Sequence, residues 1–339
     1  MKNREFSRRK FIQTIMAGVA LGPAMMGMQK NTSSGIPTRP LGKTGENVSI
    51  IAMGGWDSVA NKSDDESIRI MHEAMDRGIT FWDNSQDYHQ GRAEEVMGKA
   101  LAEVSRRDKV FLMTKVCARD YAGAKRQLEQ SLKRLRTDRI DLWQFHSIQY
   151  DGDMQRIFDP ENGALRAAIE ARDEGRIRYI GFTGHRHPDI HLEMMNQDFD
   201  WDVVQMPLNI LDAHYNSFRH NVLTVANERN MGTIGMKSLA AQNARISREL
   251  NISPELCIRY SLSLPVSTLC LGFQTREEMI ADVNIARDFK PLTGDEVDRL
   301  LAKSQSPAKD GEIELYKNPE GYFGCSYHRG VLEQEGTRD

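Results

Sequence analysis

The stretch 79-ITFWDNSQDYHQGRAEEVMG-98 decides the fold, because a strand, a polar loop and a helix follow one another within it. An apolar strand over Thr80–Trp82 leads to the carboxylate of Asp83, and the next loop carries the phenol of Tyr88. The helix after the loop repeats small and apolar residues at intervals of three and four, which is typical of a helix with one packed face. A carboxylate at a strand end and a phenol in the next loop are typical of a barrel enzyme's catalytic edge.

Eight apolar runs alternate with helical patterns along most of the chain. The runs are Val48–Met53, Thr80–Trp82, Val110–Met113, Ile140–Phe145, Tyr179–Phe182, Val203–Gln205, Thr233–Met236 and Thr268–Leu271. Helical patterns cover residues 93–104, 122–135, 161–174, 217–229 and 275–288, and two more begin after Ser63 and at Pro254. Because parallel strands need crossover connections, the alternation predicts a (β/α)₈ TIM barrel. An open doubly wound sheet is the alternative, although no G-x-G-x-x-G follows the first run.

The parts outside the barrel are a leading segment, a hairpin and a tail. We predict a signal segment over residues 1–30 and a barrel unit over residues 37–301, whose first element is a β-hairpin that turns at Thr44-Gly45. Residues 302–339 form a C-terminal tail rich in glycine, lysine and aromatic residues. This tail is either a frayed terminus or a lid over the barrel mouth.

Basic residues precede an interrupted apolar run in the first thirty residues. Arg8 and Arg9 stand in S-R-R-K-F-I, and the run Ile12–Met28 contains three glycines and a proline. Such a run is a poor buried helix and a poor membrane span. S-R-R-K-F-I is similar to the twin-arginine export consensus. The resemblance implies that the twin-arginine export machinery moves the folded protein to the periplasm, with a retained N-terminal membrane tether as an alternative to cleavage.

Composition excludes some partners. The net charge of −3 provides no basic field for nucleic acid, and membrane contact is expected only through the signal segment. The four cysteines, Cys117, Cys257, Cys270 and Cys325, show no metal-binding spacing. Cys270 lies in an apolar run and is expected in the core, and no spacing selects a disulfide pair.

Three strand ends and one loop carry side chains suited to proton transfer. Asp83 follows one strand, Lys115 ends M-T-K, His146 ends W-Q-F-H, and Tyr88 lies in a loop. A phenol with a pKa of about 10 donates protons poorly at neutral pH, and a neighbouring ammonium lowers that value. A carboxylate can hold the ammonium, and an imidazole can orient a carbonyl oxygen. Each residue alone has a simpler structural explanation, but four at one edge favour carbonyl reduction.

The sequence F-W-D-N-S-x-x-Y-x-x-G-R-A-E-E-V-M-G-K-A-L resembles the aldo-keto reductase signature, commonly F-D-T-A-x-x-Y-G. The spacing of Asp83, Tyr88, Lys115 and His146 matches the catalytic tetrad of that family. The resemblance implies an oxidoreductase that interconverts a carbonyl and an alcohol with NADP or NAD. It implies that Tyr88 is the general acid or base and that Lys115 lowers its pKa. Asp83 would then orient Lys115, and His146 would position the carbonyl.

The resemblance also assigns nicotinamide-binding positions. Family members usually end the fifth strand with G-x-S-N, where this chain has G-F-T-G-H, so Thr183 can bind the carboxamide while Gly184 has no side chain. Gln205 matches the family glutamine on the sixth strand. After the seventh strand, Met236-Lys237-Ser238-Leu239 replaces Y-S-P-L, and a thioether can still contact an aromatic ring.

The adenosine end and the substrate wall are assigned in the same way. The sequence after the eighth strand resembles the family's adenosine-ribose motif, and it supplies Phe273, Gln274, Thr275, Glu278 and Asp282. Thr275 stands where many relatives have an arginine that binds the 2′-phosphate. This difference weakens the case for NADP as the cofactor and leaves NAD possible. Arg276, one residue on, keeps NADP open as well. Gly55 is expected at the cofactor and Trp56 at the substrate.

Two other functions stay open from sequence. His185, His187 and His191 form H-x-H-x₃-H after the fifth strand, so a metal-dependent barrel hydrolase is one alternative. Some barrels of the resembled family are regulatory subunits, so a non-catalytic nucleotide-binding barrel is another. Export further suggests that a reductase would hold its cofactor tightly, because free nicotinamide cofactor is scarce outside the cytoplasm.

Overall fold

The computed structural model describes residues 29–30, 35–102, 106–149, 151–240, 244–318 and 325. All but the last two residues of the predicted signal segment lie outside this part of the chain. Within the described residues, every helix is too short or too polar to cross a membrane.

A small antiparallel sheet precedes the barrel. It contains β1 (Gln29–Lys30), β2 (Pro37–Pro40) and β3 (Asn47–Ser49) in that order. A short 3₁₀ turn over Gly42–Thr44 joins β2 to β3, and it ends at Gly45, whose φ of 81° favours glycine. The predicted hairpin and its turn are therefore confirmed.

Eight parallel strands follow and close into a barrel, as predicted. They are β4 (Ile51–Gly54), β5 (Phe81–Asp83), β6 (Phe111–Val116), β7 (Ile140–Phe145), β8 (Ile177–Thr183), β9 (Val203–Pro207), β10 (Gly232–Met236) and β11 (Thr268–Gly272). Each strand pairs with its neighbours in chain order, and β11 pairs with β4 to close the sheet. The apolar run predicted as one strand over Val48–Met53 is divided between β3 and β4, because the chain changes sheets at Ile50.

Helices surround the barrel. In the described part of the chain they are Gly55–Val59, Asp64–Asp76, Arg92–Ala102, Tyr121–Leu135, Asp151–Ile157, Ala164–Asp173, Pro188–Met195, Thr224–Glu228, Arg245–Leu250, Pro254–Ser263, Arg276–Arg287 and Gly294–Gln305. Ser63 caps the helix that was predicted to begin after it, since its side chain accepts from the Glu66 N–H at 3.2 Å. The helix predicted from residue 217 begins with a π-helical turn, Arg219–Leu223. Several short helices, including Pro188–Met195, were not predicted because their apolar residues span too few turns for a clear period.

Side chains two residues apart along a strand point to the same face, so each barrel strand has an inward row. At one end of the barrel the inward residues are apolar and pack against two hairpin residues. This cluster contains Leu41, Val48, Ala52, Phe81, Phe111, Met113, Leu142, Val203 and Ile234. Two positions further along β5 and β6, the same rows continue as Asp83 and Lys115. The barrel is therefore plugged at one end and polar at the other.

We expect Gly98→Ala to destabilise the fold by about 1–3 kcal/mol. Gly98 lies on the helix Arg92–Ala102, and a Cβ there would lie 2.1 Å from the carbonyl oxygen of Arg134, which is backbone and cannot move aside. Gly294→Ala is the matched control, because Gly294 begins a helix and a Cβ there meets nothing within 4 Å. Urea unfolding midpoints measure both variants, and equal midpoints would show that the two helices tolerate the extra methyl group.

Candidate active site

A buried ion pair joins the ends of β5 and β6. The Lys115 Nζ is bonded to Asp83 Oδ1, and both side chains are almost fully buried. The same nitrogen donates to the Asn84 carbonyl at 2.8 Å and lies 3.2 Å from the Tyr88 hydroxyl. Three of the four predicted catalytic side chains therefore meet at one ammonium group.

The remaining oxygen of the buried carboxylate also has partners. Gln205 Nε2 donates to Asp83 Oδ2 at 2.8 Å, and the Cys270 thiol lies 3.1 Å from the same atom. A buried ion pair is tolerated when its remaining polar atoms are satisfied, and this carboxylate is bonded on both oxygens. Cys270, expected in the core, is therefore a contact of the ion pair, and its inward position on β11 explains why.

The phenol of Tyr88 is aimed by an unusual turn. His89 and Gln90 follow it with φ values of 50° and 58°, a left-handed conformation that is uncommon for such residues. The turn places Trp56 beside the site: its ring stacks on His89 at 4.4 Å and meets the Tyr88 ring edge-on at 5.4 Å. Trp56 is 46% exposed, so it forms an open apolar wall next to the phenol.

His146 completes the predicted set. It follows β7, its backbone N–H donates to the Val116 carbonyl at 2.8 Å, and its ring lies 5.7 Å from the Tyr88 ring at 78°. Its Nδ1 lies 3.1 Å from Ser85 Oγ and 3.5 Å from Cys117 Sγ. These two contacts fix the orientation of the imidazole beside the phenol.

A buried arginine holds the backbone behind this imidazole. Arg119 is fully buried and pairs with Asp153 at 2.9 Å. Its guanidinium donates to the carbonyl oxygens of Cys117 at 3.0 Å and His146 at 2.5 Å. Burial lowers the pKa of Arg119, but the charge and hydrogen bond of Asp153, together with the neighbouring sulfurs, outweigh it and leave the pKa raised. The ends of β6 and β7 are thereby tied to one permanent cation.

The predicted nicotinamide positions lie on the neighbouring strands β8 and β9. Thr183 and Gln205 are direct partners in the β8–β9 register, and both side chains are buried. Among the described residues, Gln205 Oε1 has no hydrogen-bond partner, so it can accept from an amide such as a carboxamide NH₂. A Cβ at Gly184 would lie 2.5 Å from the Ile148 carbonyl oxygen, which explains the glycine where relatives have asparagine.

The segment after β10 faces the C-terminal chain. Met236 is half-buried at the strand end, Ser238 is buried and Leu239 is half-buried. Lys237 has a φ of 57°, and its ammonium lies 5.3 Å from the centre of the Tyr316 ring.

Part of the predicted tail closes onto this rim. Asn209 Nδ2 donates to the Lys237 carbonyl at 3.2 Å and to the Tyr316 hydroxyl at 2.9 Å. Lys317 pairs with Asp212 and with Glu314, both at 2.9 Å, and all three side chains are buried. The described part of the tail is therefore packed on the barrel mouth as far as Asn318.

The loop after β11 is acidic. Thr275 caps the next helix by accepting from the Glu278 N–H, and Glu278 Oε2 accepts from the Gln274 N–H at 2.8 Å. Burial, reinforced by the charge of Glu278, raises the pKa of Asp282 to about 7. Phe273 is fully buried beneath this loop.

Asp57 and Lys62, from the segment between β4 and the helix Asp64–Asp76, reach the loop after β11. Lys62 Nζ donates to the Gln274 carbonyl at 2.8 Å. Burial raises the pKa of Asp57, partly offset by Lys237 and Lys62. A Cβ at Gly55 would lie 2.8 Å from the Asp83 carbonyl oxygen, so the backbone passes close to the ion pair.

The three histidines after β8 do not converge. His187 caps the helix Pro188–Met195 by accepting from the Asp189 N–H at 3.2 Å. His191 is fully buried against Phe182, and burial lowers its pKa to about 4. His185 packs edge-on against Tyr316 at 5.8 Å. In the described part of the chain no three histidine, cysteine or acidic side chains are close enough to hold a metal ion, so the hydrolase alternative is not favoured.

Several contacts were missed from sequence. The contacts to His146 come from the segments after β5 and β6, through Ser85, Cys117 and Arg119. The contacts to the acidic loop after β11 come from the segment after β4, through Asp57 and Lys62. The run of polar residues directly after Trp82 could have indicated that Ser85 lies at the site. The other contacts join distant parts of the chain and leave no local pattern.

The closed eight-stranded barrel carries its ion pair, phenol and imidazole at the carboxyl ends of the strands, where barrel enzymes have their active sites. The family model of the aldo/keto reductase family matches residues 50–252, more than half of the chain. The chain therefore belongs to the aldo/keto reductase family.

Individual relatives agree with this placement. The chain is 32% identical over 205 residues to "Aldo-keto reductase YhdN" of Bacillus subtilis, a match that covers 56% of each protein. It is 33% identical over 165 residues to "Aldo-keto reductase yakc [NADP(+)]" of Schizosaccharomyces pombe, covering 44% of this chain and 45% of that protein. The chain thus spans about half the length of the curated relatives it matches.

A solved structure agrees over a longer range. The holo form of aldo-keto reductase AKR11C1 from Bacillus halodurans is similar with a TM-score of 0.66 and 25% identity. The match covers 79% of this chain and 96% of that one.

Proposed function

We propose that the protein is a nicotinamide-dependent oxidoreductase that interconverts a small carbonyl compound and its alcohol. One observation carries the proposal: Lys115 Nζ is bonded to Asp83 and lies 3.2 Å from the Tyr88 hydroxyl, beside the ring of His146. Membership of the aldo/keto reductase family supports the same reaction class.

The four side chains divide the proton chemistry. Tyr88 donates its hydroxyl proton to the carbonyl oxygen, and it takes the proton back when an alcohol is oxidised. The ammonium of Lys115 favours the phenolate over the phenol, and Asp83 holds that ammonium in place. His146, oriented by Ser85 and Cys117, donates to the same carbonyl oxygen and positions it.

The residues on the other side of the mouth fit a dinucleotide. When bound, the nicotinamide ring supplies or accepts the hydride. The free Oε1 of Gln205 and the hydroxyl of Thr183, its partner in the sheet, would hold a carboxamide. Met236 to Leu239 would line the ring and phosphates, and the segment Phe273–Glu278, a loop and the first turn of the next helix, would hold the adenosine. The exposed ring of Trp56 would form a wall for the substrate.

We expect Tyr88→Phe to lower kcat about 10²–10⁴-fold, the usual contribution of a positioned general acid. The phenyl ring keeps the contacts with Trp56 and His146, so cofactor affinity should stay unchanged. Oxidation of NADH or NADPH with a panel of small aldehydes measures turnover, and fluorescence titration measures binding.

Tyr179→Phe is the control for this variant. It makes the same chemical change at the plugged end of the barrel, where the Tyr179 hydroxyl donates to the Thr44 carbonyl at 2.8 Å. Its kcat should match the wild type. Full turnover by the Tyr88 variant would refute the assigned role, and a wild type that binds dinucleotide without turnover would favour a regulatory barrel.

We further propose that NAD is preferred over NADP. Arg276 directly follows Thr275, the position where many relatives have an arginine for the 2′-phosphate, but its guanidinium makes two bonds to Glu73, at 2.5 and 2.7 Å. The carboxylate of Glu278, in the same first turn of the helix Arg276–Arg287, suits a free ribose hydroxyl better than a phosphate.

Glu73→Gln should tighten NADP binding about tenfold, because the released Arg276 can form a charge-assisted bond to the phosphate. NAD affinity should stay unchanged. Asp65→Asn is the control: it removes one negative charge from an exposed position on the same helix, Asp64–Asp76. Titration with NADP and NAD measures the two dissociation constants. Equal gains in NADP affinity in both variants would show that the effect comes from the net charge and not from Arg276.

Finally, we propose export to the periplasm by the twin-arginine machinery, with a cofactor that is bound before export and released slowly. S-R-R-K-F-I at the start of the chain supports this proposal. Replacing Arg8 and Arg9 together by lysine should leave the protein in the cytoplasm, since the consensus requires both arginines. Fractionation and immunoblotting measure the location, with Lys2→Arg as control, and unchanged export of the double variant would contradict the proposal.

A further inference from the structure

Four inward-facing side chains form a polar level inside the barrel, next to the ion pair. In barrels of this type, side chains from alternate strands share one level of the interior. Here β5, β7, β9 and β11 contribute Asp83, Gln144, Gln205 and Cys270. Gln205 Nε2 and the Cys270 thiol both reach Asp83 Oδ2, at 2.8 and 3.1 Å, so three of the four strands meet at this level.

Gln144 is the remaining member of the level. It pairs with Lys115 on β6 and with Gly181 on β8, and register partners point to the same face of a sheet. Its side chain is fully buried, and neither its Oε1 nor its Nε2 has a hydrogen-bond partner among the described residues. Gln205 Oε1 likewise has none in the described part of the chain. Because a buried amide without partners is costly, these atoms indicate a bound molecule.

The chemistry of these polar atoms favours water as that molecule. The Oε1 atoms of Gln144 and Gln205 are acceptors and Gln144 Nε2 is a donor, so the occupant must both donate and accept. A metal cation cannot accept from an N–H group, and the ammonium of Lys115 on the next strand opposes a second positive charge. Water can donate and accept at once, and buried water in proteins binds polar groups of this kind.

Small residues flank this level of the barrel. Gly181 pairs with Gln144, and Ala52 pairs with Cys270. A Cβ at Gly181 would lie 3.3 Å from Gln144 Cγ and 2.6 Å from the Val203 carbonyl oxygen. A larger residue at position 181 would therefore have to displace backbone, and the space beside the Gln144 side chain is kept open.

We propose that Gln144 binds buried water that connects it to Gln205 Oε1, and that Gln144 is thereby a positioning residue for Gln205. The water accepts from Gln144 Nε2 and donates to Gln205 Oε1. This bond holds the Gln205 amide with its Nε2 towards Asp83. The reverse orientation would place the Gln205 oxygen against the Asp83 carboxylate.

The orientation of Gln205 matters for the proposed cofactor, and this part of the inference rests on the proposed function. An amide oxygen has two lone pairs, so Gln205 Oε1 can accept from the water and from a carboxamide NH₂ together. Without the water, the Gln205 amide is free to turn its oxygen away from the carboxamide. Gln144 therefore influences dinucleotide binding without touching the dinucleotide.

A crystal structure of the wild-type protein without cofactor tests the water site directly. We expect electron density for water within hydrogen-bond distance of both Gln144 and Gln205 Oε1. A direct hydrogen bond between the two glutamines, or two ordered amides with no density between them, would overturn the site.

Unfolding of Gln144→Met tests the same site in solution. Methionine keeps the length of the side chain and removes the amide. If water links the glutamines, the change leaves Gln205 Oε1 without a partner and should lower the urea midpoint. If the Gln144 amide has no partner, its removal should raise the midpoint instead.

Met113→Leu is the control for this variant, because it reshapes an inward side chain on β6 without removing a polar group. A midpoint for Gln144→Met at or above that of the control would contradict the water site. If Gln144→Met does not fold, the wild-type crystal structure decides the question.

Calorimetric titration tests the positioning role. Gln144→Met should weaken NAD binding about fivefold, the usual effect of one lost hydrogen bond. ADP-ribose, which lacks the nicotinamide, should bind with unchanged affinity. Equal weakening of both ligands, or of neither, would overturn the role of Gln144 in orienting Gln205. A wild type that binds neither ligand would refute the proposed function together with this role, while the crystal structure and the unfolding midpoints would still decide the water site.

Discussion

The ion pair between Lys115 and Asp83 is the interaction on which the polar end of the barrel depends. Two charges can be buried there because their other polar atoms are hydrogen-bonded. The ammonium of Lys115 donates to the Asn84 carbonyl, and the second oxygen of Asp83 accepts from Gln205 and Cys270 on two further strands. Gln205 and Cys270 reach the carboxylate because the sheet is closed, which places β9 opposite β5 and pairs β11 with β4, the strand next to β5. Closure of the barrel therefore supports the ion pair, and the ion pair in turn holds the ammonium of Lys115 beside the Tyr88 hydroxyl.

The sequence was sufficient to predict the eight strands because each is an apolar run between turn signals, and their alternation with helices determines a barrel. The four candidate catalytic positions could be predicted to lie together because strand ends meet at one edge. Gly184 shows the limit of such reasoning: only the structure reveals that the Ile148 carbonyl leaves no room for a side chain. Ser85, Cys117 and Arg119 were not predictable, since contacts between loops have no periodicity.

The C-terminal chain belongs to the rim of the site. A lysine with no solvent exposure, Lys317, is stable there because two carboxylates, Asp212 and Glu314, surround it. Tyr316 is consequently held between His185 and Lys237, two residues from different βα loops. The sequence alone allowed either a frayed terminus or a lid. The described residues up to Lys317 are packed on the barrel mouth and form part of it.

The position of the N-terminal sheet has a consequence for access to the site. Leu41 and Val48 seal the barrel at the amino ends of its strands, and Lys43 N–H donates to the Asn230 carbonyl just before β10 at that same end. The N-terminal sheet therefore lies at the end of the barrel opposite Asp83 and Lys115. The sheet thus leaves the polar end of the barrel uncovered, so small molecules can approach Asp83 and Lys115 from the side away from it.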